Sequence, residues 1–405
     1  MPLVVQKFGG TSVADPDRIR EVADHIARTK RHGNDVVVVV SAMGKETDEL
    51  IRLAGEVADV RPGREMDMLI TAGERKAMAL LCMALHSLGV EADSFTGSQA
   101  EIITDDTHTN AKIIELRAER IRRALAAGRV PVVGGAQGVS LTTRDVTFLG
   151  RGGSDTTAVA LCHALGGDVC ELYTDVSGVF TADPRLVPEA RKMKVISFDE
   201  MLEMTASGCP KPAMRSVEFA RRWGVKLHVR SAFTWEPGTW VQEAGPDMEQ
   251  AIVSAVTHDV SEAKVTVAGV PDKPGIAARL FRELADRGIN VDMIVQNVSD
   301  HGVTDISFTV PKQDHDAATE VCRSLASELG AIGVSSDRHI ARVSLVGAGM
   351  KSNPGVAATM FETLADQGIN IDMISTSAIR TSCVVREDQV ELAVQALHRA
   401  FPEAD

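Results

Sequence analysis

The stretch "QKFGGTSVAD", residues 6–15, decides how the first half of the chain is interpreted. A short apolar run leads into Lys7, the glycines Gly9 and Gly10, and then a helix-like segment. A strand that turns on glycines into a helix N-terminus is a common place for a bound phosphate. The spacing matches neither G-x-x-x-x-G-K-[ST] nor G-x-G-x-x-G, and the lysine precedes the glycines. The residues therefore suggest a phosphate loop of another kind, and a plain glycine turn with Lys7 in solvent stays open.

Strand-like and helix-like segments alternate over the first 250 residues. The runs "DVVVVVSAMG" (35–44), "RVPVVGGAQG" (129–138) and "DVCELYTDVSGVF" (168–180) are rich in β-branched residues and end in small ones. Such runs are typical of strands buried on both faces, and helical patterns lie between them. The sequence therefore predicts an α/β domain with a mainly parallel sheet, whose ligands bind at the C-terminal ends of the strands.

The last 150 residues contain a duplication. "GIAARLFRELADRGINVDMI" (275–294) recurs as "GVAATMFETLADQGINIDMI" (355–374), with more than half of the positions identical. Each copy lies between two strand-like segments, so each repeat reads as strand, helix, strand. Two such small repeats more often pair their sheets and bind something between them than form a solenoid.

Composition excludes several classes of protein. The chain has 405 residues, 44% of them hydrophobic, and a net charge of -13, which argues against nucleic acid or anionic membrane as a partner. We expect no signal peptide and no membrane span, because no long apolar segment is present. The six cysteines are scattered and never form C-x-x-C, which favours free thiols in a cytoplasmic protein and no metal site.

A second glycine-rich loop, "LGRGGSDTTAVA" (149–160), precedes an apolar helix. Ser154 or Asp155 is expected to cap that helix, whose free N–H groups then face an anion. Arg151 adds a planar guanidinium that suits a carboxylate. A long capped loop without a ligand is the alternative.

A third loop, "YTDVSGVFTADPR" (173–185), follows a strand and reads either as a hydrophilic turn or as a nucleotide loop. In the nucleotide reading, Thr174 and Asp175 contact the ribose or base and Arg185 reaches a phosphate. Two weaker candidates are Glu74 at a helix start and the pair Ser41 and Thr47 after a strand. Taken alone, each of these has an ordinary structural explanation. No Ser-His-Asp order or H-E-x-x-H motif stands out, and no histidine is assigned to chemistry.

Together the motifs resemble, in order, those of aspartate kinases (aspartokinases) of the monofunctional type with C-terminal tandem ACT domains. The resemblance rests on "KFGGTSV", "VVVSAMG", "TAGER", "LGRGGSDTTA", "YTDVSGVFTADPR" and "STSAIR" (375–380) and spans almost the whole chain. It implies a three-layer αβα amino-acid-kinase domain with a mainly parallel sheet over residues 1–245. It also implies two ferredoxin-like α+β ACT modules, over residues 262–335 and 336–405.

The family implies transfer of the ATP γ-phosphoryl group to the β-carboxylate of L-aspartate, giving 4-phospho-L-aspartate with the help of Mg²⁺. By resemblance, the catalytic residues are Lys7, Glu74 and Arg151. Nucleotide binding carries over to Lys7, Phe8, Gly9, Gly10, Ser41, Thr174, Asp175, Phe180, Asp183, Arg185 and Lys211. Aspartate binding carries over to Thr47, Glu74, Arg151, Gly152 and Ser154. No residue is assigned as a metal ligand.

The ACT modules imply feedback control by lysine, threonine or both, and a homo-oligomer formed through the modules. The effector positions carried over are Asp272, Asn290, Asp292, Gln296, Asn370, Thr376 and Ser377. Neither nucleic acid nor a membrane is an expected partner.

The sequence departs from the family pattern at three places. Lys211 lies between two prolines and one position later than usual, Ala136 replaces a common phenylalanine, and Ala378 replaces a common glutamate. Two alternatives to a standard aspartate kinase therefore stay open. One is a paralogous kinase of another amino-acid carboxylate or of a secondary pathway with altered regulation. The other is a catalytically weak amino-acid-sensing regulatory subunit.

Overall fold

The computed structural model describes residues 1–59, 63–244, 252–297 and 302–401, and the chain divides into two compact units. The first unit comprises Met1–Val179, Lys192–Thr205 and Pro210–Met248, and the second comprises Phe180–Arg191, Ala206–Cys209 and Glu249–Asp405. Two short segments that precede the repeats by more than 40 residues, Phe180–Arg191 and Ala206–Cys209, therefore belong to the unit that contains the sequence repeats.

The described residues form twenty strands and twelve α-helices. The strands are β1 Leu3–Phe8, β2 Asp35–Val40, β3 Ala92–Phe95, β4 Ile102–Thr104, β5 Ile113–Leu116, β6 Val130–Gly134, β7 Gln137–Ser140, β8 Val146–Phe148, β9 Val169–Thr174, β10 Val195–Ser197, β11 Leu227–Ser231, β12 Thr239–Gln242, β13 Ala255–Asp259, β14 Glu262–Pro271, β15 Ile294–Gln296, β16 Val303–Pro311, β17 Gly333–Asp337, β18 Ile340–Val346, β19 Met373–Thr376 and β20 Arg380–Arg386. The helices are α1 Pro16–Arg31, α2 Glu46–Val57, α3 Arg64–Ile70, α4 Ala72–Ser87, α5 Glu119–Ala126, α6 Gly153–Leu165, α7 Phe198–Ala206, α8 Met214–Trp223, α9 Ile276–Asp286, α10 His315–Leu329, α11 Val356–Asp366 and α12 Val390–Ala400.

An eight-stranded sheet in the order β10-β12-β11-β9-β1-β2-β6-β3 forms the centre of the first unit. Each pairing within it is parallel except that of β11 with β12. The valine-rich strand β2 is almost entirely buried, as expected for a strand with helices on both faces. The predicted α/β domain with a mainly parallel sheet is confirmed.

Side chains alternate between two helical layers along β1. Phe8 packs in a hydrophobic cluster with residues of α1 and α4, including Ile26 and Leu81. Its neighbour Lys7 points to the other face of the sheet, where its side chain meets α6. Helix α8 packs beside α6 on that face. The first unit therefore has the three αβα layers that the sequence predicts.

A second, smaller sheet in the first unit has the order β5-β4-β7-β8. Strand β8 ends at Phe148, immediately before the glycine-rich loop that leads into α6. Helix α3 packs against β8. This small sheet therefore carries the backbone that delivers the loop to the start of α6.

The second unit contains two four-stranded antiparallel sheets, one for each repeat. The first has the order β15-β16-β14-β17, and its core includes residues of α9 and α10. The second has the order β13-β18-β20-β19, and its core includes residues of α11 and α12. The predicted pair of ferredoxin-like α+β modules is confirmed. Their predicted boundaries stay predictions, and the second sheet takes its edge strand β13 from upstream of the first repeat.

The segment Phe180–Arg191 is built into the core of the second module. Ala182 and Val187 are buried within its hydrophobic cluster. The N–H of Val256 on β13 donates to the carbonyl of Thr181 at 2.8 Å. The Thr181 hydroxyl lies 2.9 Å from Nε2 of His398 on α12. A segment that the sequence places among the nucleotide loops is therefore packed as part of the repeat region.

The six cysteines are all free thiols, and no described helix is long and apolar enough to cross a membrane.

Candidate active site

A buried ion pair lies where β1 reaches its C-terminal end. The Lys7 ammonium is 2.6 Å from Oδ1 of Asp155, and both side chains are only 4% exposed. Asp155 is in the first turn of α6, and its Oδ2 also accepts the N–H of Ala213 at 3.1 Å. Burial alone would raise the pKa of Asp155, but the charge and hydrogen bond of Lys7, the charge of Lys211 and the N–H of Ala213 together hold that pKa below its usual value. The Lys7 side chain is therefore held at the end of β1 by a buried carboxylate.

The glycine turn after β1 lies close against its surroundings. A Cβ on Gly9 would lie 3.5 Å from the Lys7 ammonium nitrogen, and one on Gly10 would lie 2.7 Å from the carbonyl oxygen of Gly44. The N–H of Gly44 donates to the Gly10 carbonyl at 2.9 Å. The turns that follow β1 and β2 are thus tied together, and a side chain at position 10 would separate them.

The start of α6 differs in one respect from the sequence expectation. The expected helix cap by Ser154 or Asp155 is wrong, because the N-cap is Gly152 at φ 75° and no described side chain caps the helix. Both residues lie inside the first turn, where their side chains make other contacts. Ser154 Oγ accepts from Ser41 Oγ at 3.0 Å. Ser41 and Ser154, predicted on the nucleotide and the aspartate side, are thus neighbours.

Glu74 is a buried carboxylate near the start of α4. It accepts backbone N–H groups, including that of Ala42 after β2. Its Oε2 is buried and has no hydrogen-bond partner among the described residues. Burial raises the pKa of Glu74 to about 7, and the nearby Glu46 adds to the rise. A buried, half-satisfied carboxylate of this kind favours a binding site for a cation or a hydrogen-bond donor.

Arg151 lies in the loop before α6, and its side chain is 88% exposed. Its Nη2 is 3.0 Å from Oδ1 of Asp48 on α2, next to the predicted aspartate residue Thr47. The structure therefore brings Arg151 and Thr47 to neighbouring places. The carboxylate that the guanidinium meets here is the protein's own.

Three further nucleotide candidates lie in the first unit. Thr174 ends β9, and its hydroxyl accepts the N–H of Val176 at 3.0 Å, while Asp175 is exposed. Lys211 is exposed in the turn before α8, and its positive charge acts on the Asp155 carboxylate and helps to lower that pKa. Despite its flanking prolines, Lys211 therefore lies within electrostatic reach of the Lys7–Asp155 pair.

The remaining nucleotide candidates, Phe180, Asp183 and Arg185, belong to the second unit. Asp183 and Arg185 form an ion pair at 2.6 Å, and the pKa of Asp183 lies below its usual value mainly because of hydrogen bonding from Arg185. The predicted contact of Arg185 with a phosphate stays a prediction.

The predicted effector residues lie in the turns and strands of the two modules. All seven are exposed: Asp272, Asn290, Asp292, Gln296, Asn370, Thr376 and Ser377. Asp292 differs in its partner, because its carboxylate pairs with the fully buried guanidinium of Arg342 on β18. At the corresponding position of the other repeat, Asp372 pairs with Lys264 on β14. An aspartate of each repeat therefore forms an ion pair with the first strand of the other repeat, Asp292 with β18 and Asp372 with β14.

The sequence interpretation missed two residues. Asp155 was considered only as a helix cap, although an acidic residue in a first turn is also a good partner for a lysine at a neighbouring strand end. Asp48 carried no signal, because an exposed helix carboxylate is ordinary in any protein.

A protein-held metal site is not formed by the described residues, since no group of three or more His, Cys, Asp or Glu among them could hold an ion. Mg²⁺ commonly binds through substrate phosphates and one or two carboxylates, so a nucleotide would bring most of its ligands.

Comparisons with known protein families and proteins agree with this arrangement. The amino acid kinase family model matches residues 2–231, and the ACT domain model matches residues 265–324 and 343–401. An aspartokinase from Mycolicibacterium smegmatis is 56% identical over 405 residues, covering 99% of this chain and 96% of the relative.

Two solved structures of E. coli aspartokinase III share the fold over 98% of this chain and 99% of theirs. One, in complex with aspartate and ADP and described as the R-state, is 25% identical with a TM-score of 0.84. The other, in complex with lysine and aspartate and described as the T-state, is 26% identical with a TM-score of 0.76.

Proposed function

Because the chain belongs to the aspartokinase family, we propose that it transfers the γ-phosphoryl group of ATP to the β-carboxylate of L-aspartate. The products are 4-phospho-L-aspartate and ADP, and the reaction is the first step of the aspartate-family amino-acid pathway. The coarser activity, that of an ATP-using aspartate kinase with ACT domains, rests on the whole-chain similarity.

The observation that carries the proposal is the buried pair of Lys7 and Asp155 at the start of α6. A carboxylate acceptor is already ionised near pH 7, so the reaction needs no general base. It needs neutralisation of charge while two anions are brought together. Lys7, held beside the glycine turn by a buried carboxylate, supplies that charge.

The transfer is a displacement at phosphorus. An oxygen of the β-carboxylate forms a bond to the γ-phosphorus, and the bond from that phosphorus to the β,γ-bridging oxygen breaks. The electron pair leaves with ADP, and no proton is transferred. Mg²⁺ bound to the phosphates would neutralise further charge.

The aspartate substrate presents one ammonium and two carboxylates. Glu74 is suited to the ammonium, because its buried Oε2 lacks a donor among the described residues. Arg151 is suited to a carboxylate, since it already pairs with that of Asp48. Thr47, Gly152 and Ser154 complete the proposed aspartate subsite.

The proposed nucleotide subsite lies around the glycine turn. Gly9 and Gly10 allow the backbone to approach a phosphate, and Lys211 adds a second positive charge. The further members in the same unit are Phe8, Ser41, Thr174 and Asp175. Phe180, Asp183 and Arg185 are proposed nucleotide contacts on the family resemblance alone.

Regulation is proposed to act through the ACT modules. Aspartokinase III from E. coli was solved with lysine, and lysine, threonine or both are the proposed effectors here. The proposed effector positions are Asp272, Asn290, Asp292, Gln296, Asn370, Thr376 and Ser377. A homo-oligomer formed through the modules and a cytoplasmic location complete the proposal.

The test traps the acyl phosphate. Purified protein is incubated with MgATP, L-aspartate and hydroxylamine, and aspartyl hydroxamate is measured with and without lysine and threonine. Hydroxamate from L-aspartate, inhibited by one or both amino acids, supports the proposal. If L-aspartate gives no hydroxamate but another amino-acid carboxylate does, that carboxylate would replace aspartate as the proposed substrate. No signal from any of them, in a protein that binds ATP, would support a regulatory subunit.

A further inference from the structure

We propose that Asp67 and Arg215 are positioning residues that together hold the loop carrying Arg151 in place for the amino-acid substrate. The proposal rests on the proposed function for the role of Arg151. Neither side chain belongs to the candidate active site described above. Asp67 lies on α3 and Arg215 on α8. Both hydrogen-bond to the same stretch of backbone: Asp67 accepts from its N–H groups, and Arg215 donates to its carbonyl groups.

This stretch of backbone consists of two short segments that pair with each other. One is residues 109–111, and the other is residues 148–149 at the end of β8. The N–H of Ala111 donates to the carbonyl of Phe148 at 2.8 Å. Arg151 follows two residues after Leu149, so the placement of these segments determines where its Cα lies.

Asp67 takes the N–H groups of this backbone. Its side chain is 0% exposed, and its carboxylate accepts the N–H of Thr109 at 2.9 Å and that of Phe148 at 3.0 Å. His108 Nδ1 lies 2.8 Å from Oδ2. A buried carboxylate is costly unless several donors satisfy it, and here the donors come from both segments. The carboxylate therefore ties the two segments together from the side of α3.

Arg215 takes the carbonyl groups of the same backbone. Its Nη1 donates to the carbonyl of Leu149 at 3.0 Å, and its Nη2 donates to that of Ala111 at 3.0 Å. The planar guanidinium bridges the two segments in a way that a lysine ammonium cannot reproduce. Arg215 is only partly exposed, and it lies in the first turn of α8, a few residues after Lys211.

Gly150, in the loop that carries Arg151, packs closely against one of these two backbone segments. This residue has φ 85°, and a Cβ there would lie 3.2 Å from Oδ1 of Asn110 and 3.3 Å from the carbonyl oxygen of Thr109. The loop thus rests directly on the segment that Asp67 and Arg215 hold. Among the described residues, the Arg151 side chain makes only an exposed ion pair, so its position depends on this backbone.

The first test is a split between the two Michaelis constants. We expect Asp67→Asn and Arg215→Met each to raise KM for L-aspartate about 10-fold or more, because a small misplacement of a binding group is costly. In Asp67→Asn, KM for ATP should stay within about twofold of the wild-type value, because Asp67 lies on the side of the proposed aspartate subsite. Matched controls are Asp59→Asn and Arg222→Met, both exposed, and both should leave the two constants unchanged.

A double-mutant comparison tests whether the two residues act on one loop. The double variant should raise KM for aspartate by clearly less than the product of the single effects, since either change already releases the same backbone. Arg215→Lys should raise KM for aspartate less than Arg215→Met does, but it should not restore the wild-type value. Equal rises in both Michaelis constants in Asp67→Asn, or independent effects in the double variant, would overturn the proposal.

Hydrogen exchange provides a readout that does not depend on the reaction. Amides of residues 107–112 and 145–153 should exchange faster in both variants, while those of β11 should be unchanged. Exchange that rises equally across the first unit would show general destabilisation and overturn the specific role. If the wild-type chain forms no hydroxamate, the proposed function fails, and this measurement still decides whether Asp67 and Arg215 hold the loop.

Discussion

Lys7 shows how one residue can combine a charge and a fixed position. It is buried at the end of a strand, and a buried ammonium is costly without a partner. Asp155 supplies that partner from the first turn of α6. The side chain proposed to meet the transferring group is therefore held by the helix whose N-terminus also favours an anion.

The first prediction concerns Asp155→Asn. The variant leaves the buried Lys7 ammonium without its partner, so we expect a loss of about 3–5 kcal/mol in the free energy of unfolding. We also expect kcat to fall about 10²–10³-fold, the usual scale for loss of one organised charge-stabilising group. Denaturant titration and the hydroxamate assay measure the two effects. Asp168→Asn, in the turn between α6 and β9, is the control, and a kcat within threefold of wild type in Asp155→Asn would contradict the proposed role.

Glu74 gives a prediction on pH. Its pKa of about 7 in the free enzyme means that the carboxyl is mostly protonated at pH 6 and mostly ionised at pH 8. A substrate ammonium binds the ionised form, so KM for aspartate should fall about tenfold between pH 6 and pH 8. Glu74→Gln should raise KM and remove this pH dependence. Initial rates at fixed ATP across that range provide the measurement.

The same carboxyl affects stability with a defined sign. Its folded pKa is raised from 4.5 to about 7, so the folded state binds more protons than the unfolded state between those values. Stability from this group is therefore fully present below pH 4.5 and is lost as pH rises to 7, by about 3 kcal/mol. Glu74→Gln should thus be the more stable protein at pH 8. A wild type that is equally stable relative to the variant at pH 4.5 and pH 8 would contradict the buried ionisation.

Helix α2 differs from the other described α-helices because it has no buried residue. Ile51 and Leu53 are exposed on it, and its acidic first turn includes Asp48, which pairs with Arg151. The pair is exposed on both sides, so it contributes little to the stability of the fold. Its consequence is competition, because Asp48 occupies the guanidinium that a substrate carboxylate is proposed to use.

Asp48→Asn should therefore lower KM for aspartate, by about 1.5- to 5-fold, which corresponds to the usual strength of an exposed ion pair. Glu49→Gln, the neighbouring acidic residue on the same helix, is the control for a general change in charge. Steady-state kinetics at constant ionic strength give the comparison. An unchanged KM in Asp48→Asn, or the same decrease in both variants, would show that Asp48 does not compete.

The elements themselves were predicted well where hydrophobic patterning is strong. The valine run at residues 35–40 forms β2, and the helical pattern at residues 16–33 forms α1 over Pro16–Arg31. The pairing of β13 with β18 across the whole first module and the contacts of charged side chains were not predictable. Asp67, Asp155 and Arg215 each act on residues far away in sequence, and no local periodicity encodes such a contact. The loop residue Arg151 was found, whereas its partner Asp48 was not.

At the scale of the whole molecule, the buried Arg342 joins parts of the second unit. It pairs with Asp292, Glu262 and Asp259, and its Nη2 donates to the carbonyl of Ala206 at 2.7 Å. Burial raises the pKa of Glu262 to about 7, and Arg342 opposes that rise. One guanidinium therefore pairs with three carboxylates and donates to one backbone carbonyl.

Arg342→Met should destabilise the second unit most at high pH. Without the cation, the pKa of Glu262 rises further, so the ionisation of this carboxyl opposes folding as pH increases through that value. We expect a loss of about 3–5 kcal/mol at pH 8 and a clearly smaller loss at pH 5. Lys264→Met, which removes the more exposed pair with Asp372, should cost less than about 1 kcal/mol. Calorimetry at the two pH values compares them, and an effect independent of pH would contradict the charge argument.

The upstream position of β13 has a consequence for synthesis on the ribosome. This strand leaves the exit tunnel before the whole first module, yet its partner β18 begins only at Ile340. At typical translation rates the delay is roughly 4–16 s, during which the edge of β13 has no partner strand. The first module can complete its own sheet within that interval. The second repeat is therefore expected to fold last. A ribosome stalled between the two repeats would carry the first unit, a finished first module and the still unpaired strand β13.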